Sequence, residues 1–428
     1  MGAVYEALRA YAGGDVLRLH MPGHGGRSAA LGALSPVLPL DVTEIPPTGD
    51  LLTGEGPFAA AYDRADRLYG GTTVFSAGGA TLALQAALFL ATRRGTKRKL
   101  LVDRRCHKSV LAAMVLLDLE PVWLYPEGDV LPLRTLEEAA RAHPDAAAAV
   151  VVSPTYYGRL SELHTPLPNG VRLVVDNSHG SHLLLLGRHP FLAGADYVVD
   201  SLHKTLPALT GAALLHCRET REEALEALRL FGSTSPSFLI AASIDLCLDY
   251  LEGEGRADLI RQTETLRALR VRLAAHGVAS LSGQEYDPAR LTLFLPGGAR
   301  ALKEALEKRS IFAEFSDVDH LVLIPPLTFG EQAAARLEEA VTAALPLPSG
   351  EAEAALPPEL PQALSPRAAY FSPRERLPLH LAAGRICAAP LYCYPPGIPL
   401  CVPGERLTDA FCSWASTRFD TVWVTRSS

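Results

Sequence analysis

The sequence predicts an α/β protein built on a mainly parallel sheet with helices on both faces. Two observations carry that expectation. Short runs at Thr72–Ser76, Lys99–Val102, Ala147–Val152, Leu173–Val175 and Tyr197–Val199 alternate with stretches of helical periodicity, and most of these runs are apolar throughout, as strands buried on both faces are. Polar residues follow directly after several of the runs, and in open parallel sheets the site lies outside the carboxyl ends of the strands.

Composition narrows the class. The 428 residues are enough for two or three domains, and 48% hydrophobic with 20% charged is ordinary for a globular enzyme. A net charge of -7 leaves no basic patch for nucleic acid. The first 26 residues have no basic stretch followed by an apolar one, so no signal peptide is expected, and no apolar run is long enough to span a bilayer. The seven cysteines have no metal-site spacing and read as reduced thiols, which points to the cytoplasm.

In chain order, residues 1–52 read as an N-terminal arm with little periodicity. Within the arm, HMPGHGG at His20–Gly26 reads as a turn whose imidazoles line a pocket or interface; no Cys or acidic cluster adjoins it to suggest a metal. Glu55–Tyr69 and Gly79–Arg94 read as helices around the strand Thr72–Ser76, and Ser109–Leu117 as the helix after Lys99–Val102. Ala212–Leu215 reads as the strand after Tyr197–Val199. Leu225–Phe231, Ser243–Leu251 and the long Ala257–His276 read as helices. Arg290–Leu295, Ala301–Arg309, His320–Ile324 and Glu331–Ala344 then give strand, helix, strand, helix, a small α/β unit. Residues 347–366, rich in Pro, Ala and Glu, read as a linker, and the proline-rich stretch that follows as an ordered irregular loop.

The strand ends carry the chemistry. Tyr197–Val199 stops at Asp200-Ser201 and delivers His203 and Lys204 into a tight turn closed by Gly211. Only six lysines stand among the 40 basic residues, so Lys204 is not there merely for charge. A buried lysine becomes a neutral nucleophilic amine, which a Schiff base with an aldehyde cofactor needs. Asp176 closes an apolar strand, where a carboxylate is costly without a cationic partner; a pyridinium nitrogen is such a partner, and a turn cap is the alternative. His107, His179 and His182 follow two strand ends, and an imidazole stacked on a cofactor ring would hold it flat. In SAGGATLALQ, the N–H groups of Gly79, Ala80 and Thr81 open a helix and would point at an anion.

Together these stretches resemble the Orn/Lys/Arg decarboxylase family of pyridoxal-phosphate enzymes, over nearly the whole chain. SLHKTLPALTG looks like its Schiff-base loop, DNSHGSH like a motif usually written Asp-Glu-Ala-His-Gly-Ala-His, and CHKS like its ring-stacking loop. HMPGHGG with DVTEIPPTGDLL looks like the arm, SPTYYG at Ser153–Gly158 like the substrate-side loop, and YPPGIPLCVPGE like the C-terminal signature. The departures are Asn177 and Ser178, where Glu and Ala are more usual, and Gly78, Gly79 and Ala80, where hydroxyl residues are usual.

The resemblance implies a three-layer αβα fold of the pyridoxal-phosphate transferase type, with the arm at 1–52, a major domain at 53–275, a small α/β domain at 276–346, a linker at 347–366 and a C-terminal domain at 367–428. It implies that Lys204 binds pyridoxal phosphate as an imine, that Asp176 pairs with the ring nitrogen, that His107 stacks on the ring and that His179 lies beside it. Gly79, Ala80, Thr81, Ser201 and His203 should hold the phosphate, with Thr234 and Ser235 reaching the neighbouring subunit's phosphate in a homodimer with shared sites. His203 or Lys204 should return the proton, and Glu405 is the candidate acid for a substrate's distal cation. The implied reaction is α-decarboxylation of arginine, lysine or ornithine to a polyamine-type amine. An aminotransferase or carbon–carbon lyase of the same fold, or a catalytically silent cofactor-binding relative, remains an alternative.

Overall fold

The structure is a computed structural model describing residues 2–347, 357–392 and 397–426. After α1 (Ala3–Gly13) the chain runs α2 (Pro57–Tyr69), β1 (Thr72–Ser76), α3 (Gly79–Thr92), β2 (Lys99–Asp103), α4 (Lys108–Leu117), β3 (Glu120–Leu124), α5 (Leu133–Ala142), β4 (Ala146–Val152) and β5 (Arg172–Asp176). It continues with β6 (Tyr197–Asp200), α6 (Leu202–Thr205), β7 (Ala213–Cys217), α7 (Arg221–Phe231), α8 (Phe238–Glu252) and α9 (Gly255–Ala275). These strands form a seven-stranded sheet in the order β1-β7-β6-β5-β4-β2-β3. β3, β2, β4, β5 and β6 are mutually parallel, and β7 alone runs against its neighbours β6 and β1. Register sets Val150 beside Val174 and Val175 beside Val198, so the apolar residues stack across the sheet centre. Burial on both faces explains why these strands lack polar alternation.

Beyond α9 come β8 (Ala279–Ser280), β9 (Leu291–Phe294), α10 (Ala299–Glu307), β10 (Phe315–Ser316), β11 (His320–Leu323) and α11 (Glu331–Thr342). They form a second sheet, β10-β11-β9-β8, whose own core includes Leu269, Leu293, Leu302 and Leu337. A third core, around Cys401, Leu407, Phe411 and Val424, joins α12 (Pro366–Phe371), β12 (Arg374–Pro378), β13 (Leu391–Tyr392), β14 (Pro399–Cys401), α13 (Asp409–Ala415) and β15 (Thr421–Thr425). Among the described residues, no helix is long and apolar enough to cross a membrane.

Three expectations are corrected. The arm is not aperiodic: Val4, Leu8 and Tyr11, spaced for one helix face, are buried in α1, and Asp245 of α8 accepts from the Val4 N–H at 2.7 Å. The linker is ordered where described, because Leu360 is buried and the Gln362 side chain accepts from Trp123 Nε1 at 3.1 Å; residues 348–356 lie outside the described residues. The C-terminal stretch is not merely an irregular loop, since β13 and β14 pair within it, with residues 393–396 outside the described ones.

Candidate active site

Three strand ends converge at the carboxyl edge of the large sheet: β2 leads to His107, β5 to Asn177–His182, and β6 into α6, which carries Lys204. Lys204 lies on a single helical turn rather than an open loop, pinned by the Leu202 N–H donating to Ala212 and the Leu206 N–H donating to Leu202. Its Nζ is 3.2 Å from His179 Nε2. Burial lowers the Lys204 pKa below the ordinary lysine value; Arg290 acts in the same direction, while Asp176 and Glu314 partly offset it. The effect favours the neutral amine. Burial also drives His179 well below the usual histidine range, with Lys204 and Arg290 adding to it. The His179 Nδ1 is buried and has no hydrogen-bond partner among the described residues.

Asp176 is buried, and its Oδ1 accepts from the Ser178 N–H at 3.1 Å and the Ser178 Oγ at 2.5 Å. That gives Ser178 a task an alanine could not do. Gly180 is required for space: a Cβ there would stand 2.2 Å from Asn177 Oδ1 and 2.5 Å from Pro154. His107 caps α4, its Nδ1 accepting from the Ser109 N–H at 3.3 Å. Burial lowers its pKa, Asp176 opposes, and Lys204 adds to the lowering. His203 Nδ1 lies 3.4 Å from Ser201 Oγ and 3.3 Å from the Ala212 carbonyl and the Gly211 N–H.

The structure departs from the expected site in three places. The Gly79 N–H donates to the Gly211 carbonyl at 2.9 Å, so Ala80 and Thr81 are the amides left at the start of α3. His182 does not join the cluster; it bonds Asp287 at 2.9 Å, joining the large sheet to the residues before β9. Glu405 is not a free acid awaiting a substrate: it is fully buried, its oxygens are 3.4 and 3.5 Å from Arg104 Nη2, and one accepts from the Val402 N–H at 2.8 Å. Thr234 and Ser235, expected to reach a neighbouring subunit, meet nothing of the site within this chain; they are exposed between α7 and α8, and Ser237 is the residue that caps α8.

Sequence reasoning missed a hub beneath the site. Asp200 accepts from His189 Nε2 at 3.1 Å, His216 Nε2 at 3.3 Å and Asn177 Nδ2 at 2.5 Å, all buried. Burial alone would raise this carboxyl; His189 and His216 outweigh it and hold it below the usual range. The His189 Nδ1 accepts from the Phe191 N–H and the His216 Nδ1 faces Thr73 Oγ1, so hydrogen bonds account for both nitrogens of each ring in this metal-like grouping. The one sequence signal was His216, a polar residue inside an apolar strand. Arg290 and Glu314 were also missed, while Tyr156 belongs to the stretch read as the substrate-side loop. Tyr156 stands edge-on to His179 with centroids 5.1 Å apart, and Arg290 donates to the carbonyls of Tyr156 and His179 at 3.3 and 3.4 Å.

Comparison with known proteins gives the chain's relatives. The family model described as Orn/Lys/Arg decarboxylase, major domain, matches residues 3–283, and that of the C-terminal domain matches 354–415. The chain is 32% identical to an uncharacterized protein, YaaO, of Bacillus subtilis (strain 168), over 95% of this chain and 92% of that one. It is 29% identical to an arginine decarboxylase of the same organism, over 97% and 93% respectively. Lysine decarboxylase A from Pseudomonas aeruginosa superposes with a TM-score of 0.82 at 21% identity, covering 100% of this chain and 80% of that one.

Proposed function

The chain belongs to the Orn/Lys/Arg decarboxylase family, and from that premise we propose that it removes the α-carboxylate of arginine, lysine or ornithine, using pyridoxal phosphate at Lys204 and giving a polyamine-type amine. The observation that carries the reading is a half-buried lysine amine, lowered in pKa, set against a neutral imidazole beside a strand end that bears a carboxylate.

The residues present suit that cofactor. His179 Nδ1 is a buried polar atom without a partner. A Cβ built on Gly79 would meet nothing nearer than 4.0 Å, so space lies open above the first turn of α3. There the Ala80 and Thr81 amides and the helix dipole favour a phosphate. Pyridoxal phosphate supplies a carbonyl that joins an amine and a ring that accepts the electron pair left by a departing carboxylate.

Around it the chain's own groups divide the work. Lys204 offers the neutral amine. Asp176, steadied by Ser178, would hold positive charge on the ring nitrogen, and His107 would support the ring face. Lys204, in contact with His179, would return the proton to the substrate carbon, with His203 as the other candidate donor. Ser201 and His203 would join Ala80 and Thr81 in holding the phosphate.

A homodimer with Thr234 and Ser235 reaching a neighbour's phosphate is part of the proposal. It is supported by their exposure and by the apolar residues Leu17, Leu19, Met21 and Leu34 that the arm leaves uncovered. Three separate cores support three units, although Val4 and Leu8 of the arm join the first, Leu266, Leu269 and Leu273 of α9 the second, and Leu360 the third. Free buried thiols, among them Cys106, Cys217 and Cys247, support a reducing compartment such as the cytoplasm.

The test is direct. Purified protein with pyridoxal phosphate is given arginine, lysine and ornithine, and carbon dioxide and amines are measured. Release of both from one of them supports the proposal; a keto acid or aldehyde with no carbon dioxide turns it toward the aminotransferase or lyase alternative, and no product at all toward the silent relative.

A further inference from the structure

With Glu405 occupied, the site still needs a carboxylate for the substrate's far end. Glu314, just before β10, is exposed. The Tyr156 hydroxyl donates to its Oε1 at 2.6 Å. Tyr156 in turn stands edge-on to His179, whose Nε2 touches Lys204 Nζ at 3.2 Å. Lys204, His179, Tyr156 and Glu314 thus form a continuous line of side chains from the reacting amine outward.

Charge matching singles Glu314 out. Asp287 is answered by His182, Asp317 by His320 and Tyr157, and Glu405 by Arg104. Glu314 is held by a neutral phenol and has no close ion pair among the described residues. Its charge reaches inward, since it favours the protonated forms of both Lys204 and Arg290. Glu314 precedes β10 of the second sheet and Tyr156 follows β4 of the first, so a ligand bridging them would span the two units.

We propose that Glu314, steadied by the Tyr156 hydroxyl, receives the distal cation of the substrate and makes the site selective for basic amino acids. The inference rests on the decarboxylase reading above. The substrate's α-carbon sits near Lys204, and its cationic tail runs along the Tyr156 wall to Glu314. An ammonium or guanidinium there gains a charge-assisted hydrogen bond that an alkyl tail lacks.

The experiment uses the holoenzyme. KM and kcat are measured with whichever basic amino acid the wild type decarboxylates, and the inhibition constant of norleucine, an uncharged analogue, is measured alongside. In Glu314→Gln, KM should rise about tenfold, the ratio for losing one charge-assisted hydrogen bond, with kcat within a few-fold and the norleucine constant unchanged. Glu314→Asp should recover part of the loss, and Tyr156→Phe should show a smaller rise. Unchanged KM in an active Glu314→Gln enzyme overturns the assignment, as does an equal weakening of norleucine. A wild type that decarboxylates no basic amino acid overturns the earlier reading, and this one with it.

Discussion

The side-chain amide of Asn177 donates to Oδ1 of Asp200 at 2.5 Å, tying the residue after β5 to the last residue of β6. One strand end carries Asp176 and the other leads to Lys204, so this bond fixes two proposed catalytic groups relative to each other. It also explains a departure from the family motif. Asp200 is already an anion held by His189 and His216, and a glutamate in place of Asn177 would set a second carboxylate against it.

Asn177→Asp should therefore be far worse than Asn177→Ala. Alanine loses a buried hydrogen bond, about 1–3 kcal/mol. Aspartate adds an unmatched buried charge, about 3–5 kcal/mol. Urea unfolding of the two variants measures the gap; an aspartate variant as stable as the alanine one would show that Asp200 is not the anionic centre of this hub.

Glu405 sets a pH dependence. Burial pushes its carboxyl up to about 7, against the opposing charge of Arg104 and the Val402 N–H. An ordinary glutamate titrates near ~4.3, so between those values the folded chain binds the proton and the unfolded chain does not. The folded state then gains stability as pH falls through 7. Glu405→Gln lacks this gain. From pH 8 to pH 5 the wild type should gain on the variant by about 2 kcal/mol in urea unfolding. The opposite slope would mean that Arg104 keeps the carboxylate ionised.

Shared sites are tested with hybrid dimers. Lys204→Ala subunits are mixed with subunits in which Thr234 and Ser235 are both Ala. Each parent should be nearly inactive. If the pocket draws on two chains, both lesions fall in one pocket of the hybrid, the other is wild type, and activity partly returns. Hybrids as inactive as the parents, or an active monomer, contradict the shared site.

The strands of the large sheet and the Lys204 and Asp176 strand ends were legible because burial on both faces writes itself as unbroken apolar runs. α1 was legible in principle, through Val4, Leu8 and Tyr11, but the glycines and prolines that follow it obscured the pattern. The Asp200 hub was not legible, because Asn177, His189 and His216 reach it from three different segments and each alone reads as a loop or strand residue. The Arg104–Glu405 pair spans 301 residues, and no local pattern marks it. Glu314 likewise acquires meaning only when the second sheet brings it to Tyr156.

The central claim is that Lys204 is the amine that holds the cofactor, and reductive trapping tests it most directly. Protein supplied with pyridoxal phosphate is reduced with borohydride, digested, and its peptides mapped by mass. The account predicts the pyridoxyl label on the peptide containing Lys204 and its disappearance in Lys204→Ala. Label on any other lysine, or none at all, contradicts it.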